Sequence, residues 1–303
     1  METNCLRAAA AASMLLLAAA SSGCSGGTNE PLEPISLTDG PGDETAPDFS
    51  PDGKWIAYTW STSENESHVW VIDLAGKEKR RITSVRAMNG GPAWSHDGKR
   101  IAFQSSRDGK SNIYVVSARA GEVDNAPHAR ALTRDSGMNG APSWSPDDRF
   151  LAFESDRNGR FDIWVMNVDG DNQHVLTRST SHNNRPAWSP DGKLIAFSSE
   201  RTGNSDIWIM NPDGSFPRRV TADAAQEWRA RWTPDSGQLV YMRAERPDRV
   251  EFWQVFRSGR GAKALVASTA SIHDPVVSPD GKWLAFSSNK RGTFDIYLLR
   301  LDN

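Results

Sequence analysis

Residues 188–198 read WSPDGKLIAFS. The first two residues close a β-prone run, PDGK is a turn, and LIAFS opens a second run. Pro190 fixes φ, Asp191 tolerates the bend, and Gly192 takes positive φ without steric cost. The pattern recurs as FSPDGKWIAYT from Phe49, WSHDGKRIAFQ from Trp94 and WSPDDRFLAFE from Trp144. It returns as WTPDSGQLVYM from Trp232 and VSPDGKWLAFS from Val277. The motif Ser or Thr falls at 50, 95, 145, 189, 233 and 278, in steps of 45, 50, 44, 44 and 45 residues. Self-similarity at this period marks a repeat architecture.

Each copy carries four strand-like runs. In the fourth copy PAWS leads into the turn, LIAFSS follows, ERTGNS turns the chain into DIWIMN, and NPDG turns it again into RRVT. Four antiparallel strands per period of about 45 residues describe a propeller blade. A solenoid would use mostly one strand or helix per repeat and a shorter period. The predicted fold is therefore all-β, a six-bladed β-propeller with four antiparallel strands per blade. Trp94, Trp144, Trp188 and Trp232 on the first strands, and Trp70, Trp164, Trp208 and Trp253 on the third, are expected to pack between facing sheets.

The ends of the chain complete this reading. Each fourth strand ends 12 residues before the next motif Ser or Thr: Thr83, Thr133, Thr177, Thr221 and Val266 all fit. PISLTDG at residues 34–40 fits too, because Thr38 lies 12 before Ser50. The sixth copy reads VSPDGKWLAFSS and FDIYLLRLDN and has no fourth strand. The N-terminal strand is expected to supply it and close the ring, pairing two edges that would otherwise template aggregation.

The bulk composition agrees. The chain has 303 residues, 24% charged, with a net charge of −3, so no basic excess exists to neutralise nucleic-acid phosphates. Twelve Trp, 24 Gly and 17 Pro suit repeated corners and large buried rings. Ala8 to Ala20 form an apolar run too short to span a bilayer comfortably but suited to a signal-peptide core. SSGC at residues 21–24 resembles a bacterial lipoprotein box, which implies lipidation of Cys24; Ser25 after it leans toward the outer membrane. Ordinary cleavage nearby, leaving a soluble periplasmic protein, is the other reading. The expected organisation is a signal peptide over 1–23, a tether over 24–33 and the propeller over 34–303. Cys5 and Cys24 are the only cysteines, so the propeller body holds no disulfide and no Cys-based metal site.

The composite motif PxWSPDGKxIAFxSxRxG…DIWxMNxDG…RxLT resembles the TolB-type propeller repeat, a WD-repeat-like family of bacterial envelope proteins. The resemblance covers residues 35 to 303, with copies 1 and 5 drifting; copy 5 lacks the S-x-R-x-G loop. It implies a protein-binding propeller in the envelope. TolB itself carries an α/β domain ahead of its propeller, and about ten tether residues leave no room for one here. Related propellers precede the catalytic domain of prolyl-oligopeptidase-like enzymes, and no hydrolase domain is expected after this one.

Chemistry is sparse. GCSGG at residues 23–27 matches G-x-S-x-G but lies in the processing site, without strand–turn–helix context. The six histidines, His68, His96, His128, His174, His182 and His273, include no pair at metal-ligand spacing. The turn residues Asp52, Asp97, Asp147, Asp191, Asp235 and Asp280 read as turn chemistry. Asp162, Asp206 and Asp295, with Arg107, Arg157, Arg201 and Arg291, read as partners that stabilise every blade. Function is expected where the repeats differ. The loops entering the first strands bring Glu44, Asn89, Asn139, Asn183, Glu227 and His273 toward the channel mouth, joined by Arg185, Arg229, Asp274 and Trp228. Polar convergence with one ring is a candidate ligand or partner surface.

The reading is a non-catalytic, lipid-anchored, monomeric propeller that binds an envelope protein, with no cofactor, metal or nucleic acid. The alternative is a funnel that binds or processes a glycan or small ligand through Glu44, Glu227, His273 and Trp228.

Overall fold

The computed structural model describes residues 33–119, 129–135 and 137–301. The leader, Cys24, the tether and His128 lie outside the described residues. The described chain forms six four-stranded antiparallel sheets. Five blades run in chain order from the inner to the outer strand, at 43–81, 89–131, 139–175, 183–219 and 226–267. The sixth uses three strands within 272–300, and Ile35–Ser36 takes its outer position, pairing with Leu298 and Tyr297. The propeller closes as the spacing predicts.

The spacing of 12 has a physical cause. In five of the six blades the outer strand ends in a Thr that turns its hydroxyl onto the third strand. Thr83, Thr133, Thr177 and Thr221 accept the amides of Val69, Ile113, Ile163 and Ile207 at 2.9–3.0 Å. Thr38 accepts Ile296 N at 2.9 Å in the closing strand. Blade 5 ends in Val266, which cannot repeat the bond.

The turns also repeat. In all six blades the motif hydroxyl donates to the Asp two residues on, at 2.5–2.6 Å. That Asp then accepts the amide two residues further, as Asp191 does from Lys193 N at 3.1 Å. The hydroxyl bond holds the carboxyls of Asp52, Asp147, Asp235 and Asp280 below the usual carboxylate range. These aspartates are turn chemistry.

Six cores lie between neighbouring blades. The second strand of every blade is buried on both faces, so it reads as a continuous apolar run. Between blades 1 and 2, Ala57 of the first packs on Ile101 and Phe103 of the second. The same strand's Ala102 then faces blade 3, against Leu151 and Phe153. The aromatic of the motif is Tyr58, Phe103, Phe153, Phe197, Tyr241 and Phe286, and each is sealed from solvent. Burying one such ring is worth roughly 1.5–3 kcal/mol.

One turn breaks the pattern. The residue after the third-strand turn is left-handed in blades 3, 4 and 5, as Asn172, Phe216 and Gly261, with φ of 53°, 51° and 67°. Asn and Gly tolerate that conformation; a bulky residue there costs roughly 1–2 kcal/mol. Phe216 is also 81% exposed, so its ring recovers little by burial. Phe216→Asn should therefore stabilise the protein by about 1 kcal/mol in urea unfolding; an unchanged or lower midpoint would refute the strain.

Candidate functional site

The inner strands surround the propeller axis, and each carries a bulge. Pairing with the second strand slips at 45–48, 90–93, 140–143, 184–187, 228–231 and 273–276. A bulge inserts one residue and bends the strand. The residue four before the motif Ser or Thr is left-handed in all six blades: Ala46, Gly91, Ala141, Arg185, Arg229 and Asp274, with φ of 48–58°. A neighbouring blade holds most of these bulges. Thr59 Oγ1 accepts Gly91 N at 3.0 Å, and Gln104 Oε1 accepts Ala141 N at 3.4 Å. Glu154 Oε2 accepts Arg185 N at 2.8 Å, and Ser198 Oγ accepts Arg229 N at 3.2 Å. Asp274 Oδ2 accepts Ala46 N at 3.2 Å across the closing seam.

All six bulge residues line one cavity of about 330 Å³. Blades 1 to 3 present Ala, Gly and Ala; blades 4 to 6 present Arg, Arg and Asp. The backbone device is six-fold and the side chains are not. Arg231 also lines the cavity. It occupies the next channel-facing position, held elsewhere by Asp48, Ala93, Ser143, Ala187 and Val276. These six residues border a second cavity of about 370 Å³, walled by Phe49, Trp94, Trp144, Trp188, Trp232 and Val277.

The electrostatics are concentrated on one wall. Arg229 contacts Asp274. Burial, followed by repulsion from Arg185 and Arg231, pushes the Arg229 pKa well down. Burial lowers Arg231 as well, with Asp48 opposing the shift. Desolvation raises the Asp48 carboxyl to about 6, although Trp94 N donates to it at 2.7 Å. His273 lies against the ring of Phe294, and burial with Arg229 and Arg185 lowers its pKa. Among the described residues no group of three His, Cys, Asp or Glu side chains is placed to hold a metal ion.

The structure divides the sequence-predicted residues. Arg185, Arg229 and Asp274 line the channel, with His273 beside them. Trp228 is half-buried against the core between blades 5 and 6. Glu44, Asn89, Asn139, Asn183 and Glu227 are at most 1% exposed. The sequence pattern places those five at the channel mouth, whereas in the structure they are buried away from it. The bulge separates them from the channel-facing position by one turn of the strand's alternation, and they sit between blades. Asn183 shows why. Its amide donates to Asp162 of blade 3 at 3.1 Å, and its oxygen accepts Ser199 and Arg201 of its own blade at 2.8 Å. Arg201 also lies 4.4 Å above the Trp208 ring. Asn89 and Asn139 repeat the arrangement with Arg107 and Arg157. In blades 1 and 5 Glu replaces Asn and the Ser-x-Arg pair is gone; Glu44 meets Lys79 at 2.9 Å and Glu227 meets Arg243 at 4.0 Å. The drift of copies 1 and 5 is one coordinated exchange. Arg231, Asp48 and Glu154 were missed in the sequence; Arg231 stands out only when the residues two before each motif Ser or Thr are aligned.

Comparison with known proteins agrees with this architecture. Residues 34–130 and 125–303 match the family model described as the TolB beta propeller domain. The Tol-Pal system protein TolB of Alcanivorax borkumensis is 38% identical over 64 residues, 21% of this chain and 15% of that relative. The match thus spans less than a fifth of the curated relative's length. The solved structure of a putative TolB from Agrobacterium tumefaciens superposes with a TM-score of 0.70 at 25% identity, covering 88% of this chain and 93% of that one. An oligogalacturonate lyase in complex with manganese shares the fold, with a TM-score of 0.61 at 19% identity over 88% of this chain and 79% of that one. Matched along the six blades and their closing strand, the chain belongs to the TolB-type β-propeller family.

Proposed function

We propose that this chain is a non-catalytic, protein-binding propeller of the bacterial cell envelope, held to the membrane by a lipid on Cys24. One observation carries the binding role. The six-fold bulge ring has small residues in blades 1 to 3 and Arg185, Arg229 and Asp274 in blades 4 to 6. Asp274 serves the ring itself by accepting Ala46 N, but a ring serving only the scaffold has no need of two arginines in a left-handed conformation, which costs of order 1–3 kcal/mol each. Strain of this kind is kept where the side chain has outside work. Likeness to the Tol-Pal system protein supports the envelope location.

The channel carboxylates favour binding over catalysis. Glu154, Asp274 and Asp48 each accept a backbone amide of the next blade, so each is committed to the ring. The glycan reading loses support because Glu44 and Glu227 are buried between blades.

The test is cross-linking capture from envelope extracts with the full chain. One stoichiometric partner is expected with the wild type and none with Arg229→Ala, whose bulge position already holds Ala in blades 1 and 3. Equal recovery by both proteins, or no partner with either, would overturn the reading. In the same cells Cys24→Ser should move the protein from the membrane to the soluble periplasmic fraction.

A further inference from the structure

We propose that the bulge-ring cavity is a carboxylate receptor: it binds an acidic peptide segment of the partner through Arg185, Arg229 and Arg231. The proposal rests on the channel being the partner-binding surface and adds the chemistry of what enters it.

Three guanidinium groups from two adjacent blades face one cavity of about 330 Å³. Only Arg229 is in direct ion-pair contact, with Asp274; Asp48 acts on Arg231 through its charge, without a hydrogen bond or ion pair between them. Among the described residues, no acceptor lies within hydrogen-bond or ion-pair range of the Arg185 or Arg231 side chains. The nearby carboxylates are already engaged. Glu154 accepts the backbone amide of Arg185, not its guanidinium. Asp48 accepts Trp94 N. Two arginines therefore face the cavity with their donor forks unsatisfied by the protein. A guanidinium presents five donors in a planar fork that matches a carboxylate bidentately.

The mounts are rigid. Arg185 and Arg229 sit on left-handed bulge positions whose amides are fixed by Glu154 and Ser198. The opposite wall leaves space, because Ala46, Gly91 and Ala141 occupy the equivalent positions. That wall adds hydroxyls from Thr45, Thr59 and Ser61, suited to peptide amides. A cationic wall facing a small, hydroxyl-bearing wall fits an extended chain with acidic side chains.

The repeats provide the controls. Ala stands at the bulge position of blades 1 and 3, so Arg185→Ala keeps a backbone the fold already accepts. Val276 stands where Arg231 does, so Arg231→Val is accepted in the same way. The full chain is titrated calorimetrically with blocked hexapeptides carrying three Asp, with their Asn counterparts, and with inorganic phosphate alone. The Asp peptides should bind, the Asn peptides at least tenfold more weakly. Arg185→Ala and Arg231→Val should each weaken Asp-peptide binding at least tenfold while leaving the melting temperature within a few degrees. Equal binding of Asp and Asn peptides, no loss in either variant, or binding of phosphate without the Asp peptides would overturn the proposal. If both variants still capture the envelope partner, the carboxylate receptor fails while the protein-binding reading stands.

Discussion

A chain lacking Pro34–Thr38 is expected to melt far below the intact propeller. Those residues supply the outer strand of blade 6. Ile35 and Ser36 pair with Leu298 and Tyr297, Leu37 N donates to Ile296 O at 2.8 Å, and Thr38 accepts Ile296 N. Leu37 packs on the core between blades 6 and 1. A few net hydrogen bonds at about 1 kcal/mol each, with part of the roughly 1.5–3 kcal/mol that fully burying a Leu is worth for the half-buried Leu37, total up to roughly 5 kcal/mol. That is comparable with the whole stability of many proteins, about 5–15 kcal/mol. The deletion also bares the third strand of blade 6 as an unpaired edge, so aggregation should rise with the loss of stability. Circular-dichroism melting of the two chains checks this, and coincident curves would refute ring closure as a source of stability. Rescue separates closure from general damage. The same five residues fused to the C-terminus through a turn copied from 211–217 should restore most of the melting temperature, because they then reach the same edge from within the blade.

The closure was legible because hydrogen bonding imposes a fixed spacing. A Thr that must reach one amide of the third strand cannot drift, so five outer strands end in register on that bond, and Val266 keeps the same spacing without it. The motif hydroxyl and its Asp are legible for the same reason. The channel was only half legible. Period-two alternation predicts which face a residue takes until a bulge inserts one residue and flips the faces beyond it. A Gly at positive φ would mark such a bulge, and Gly91 does. Ala46, Ala141, Arg185, Arg229 and Asp274 take the same conformation without that mark. Asn89, Asn139 and Asn183 thus looked like channel residues and are buried. His273 was aligned with them one residue out of register; Ile272 holds that place, six before Ser278. Arg185, Arg229 and Asp274 were legible only as charges in the loops where the repeats differ; that they share one bulge position, held by Ala46, Gly91 and Ala141 in the other blades, comes from the structure.

The exchange of Asn for Glu in blade 5 should make stability depend on pH through one group. Glu227 is buried, and its Oε2 has no hydrogen-bond partner. Burial is the largest cause raising its pKa to about 7; the nearby carboxylates of Asp223 and Asp206 add to it, while Thr221 and Arg243 oppose. The folded protein therefore keeps a proton that the unfolded chain releases near the ordinary value of about 4.5. Between those two values the native state binds more protons, so stability falls as pH rises. The contribution is intact below about pH 4.5 and lost once pH passes about 7. A shift of this size corresponds to roughly 3 kcal/mol. Glu227→Gln keeps the shape and removes the titration. It should match the wild type near pH 5 and exceed it at pH 8, by up to about 3 kcal/mol in urea unfolding. The turn aspartates with depressed pKa act in the opposite direction and at lower pH, and they are common to both proteins, so they cancel in the difference. A constant difference from pH 5 to pH 8 would show that Glu227 is ionised throughout. In that case Arg243, 4.0 Å away, outweighs both burial and the neighbouring carboxylates, and the Glu–Arg pair of blade 5 is a full ionic replacement for the Asn hub of blades 2 to 4.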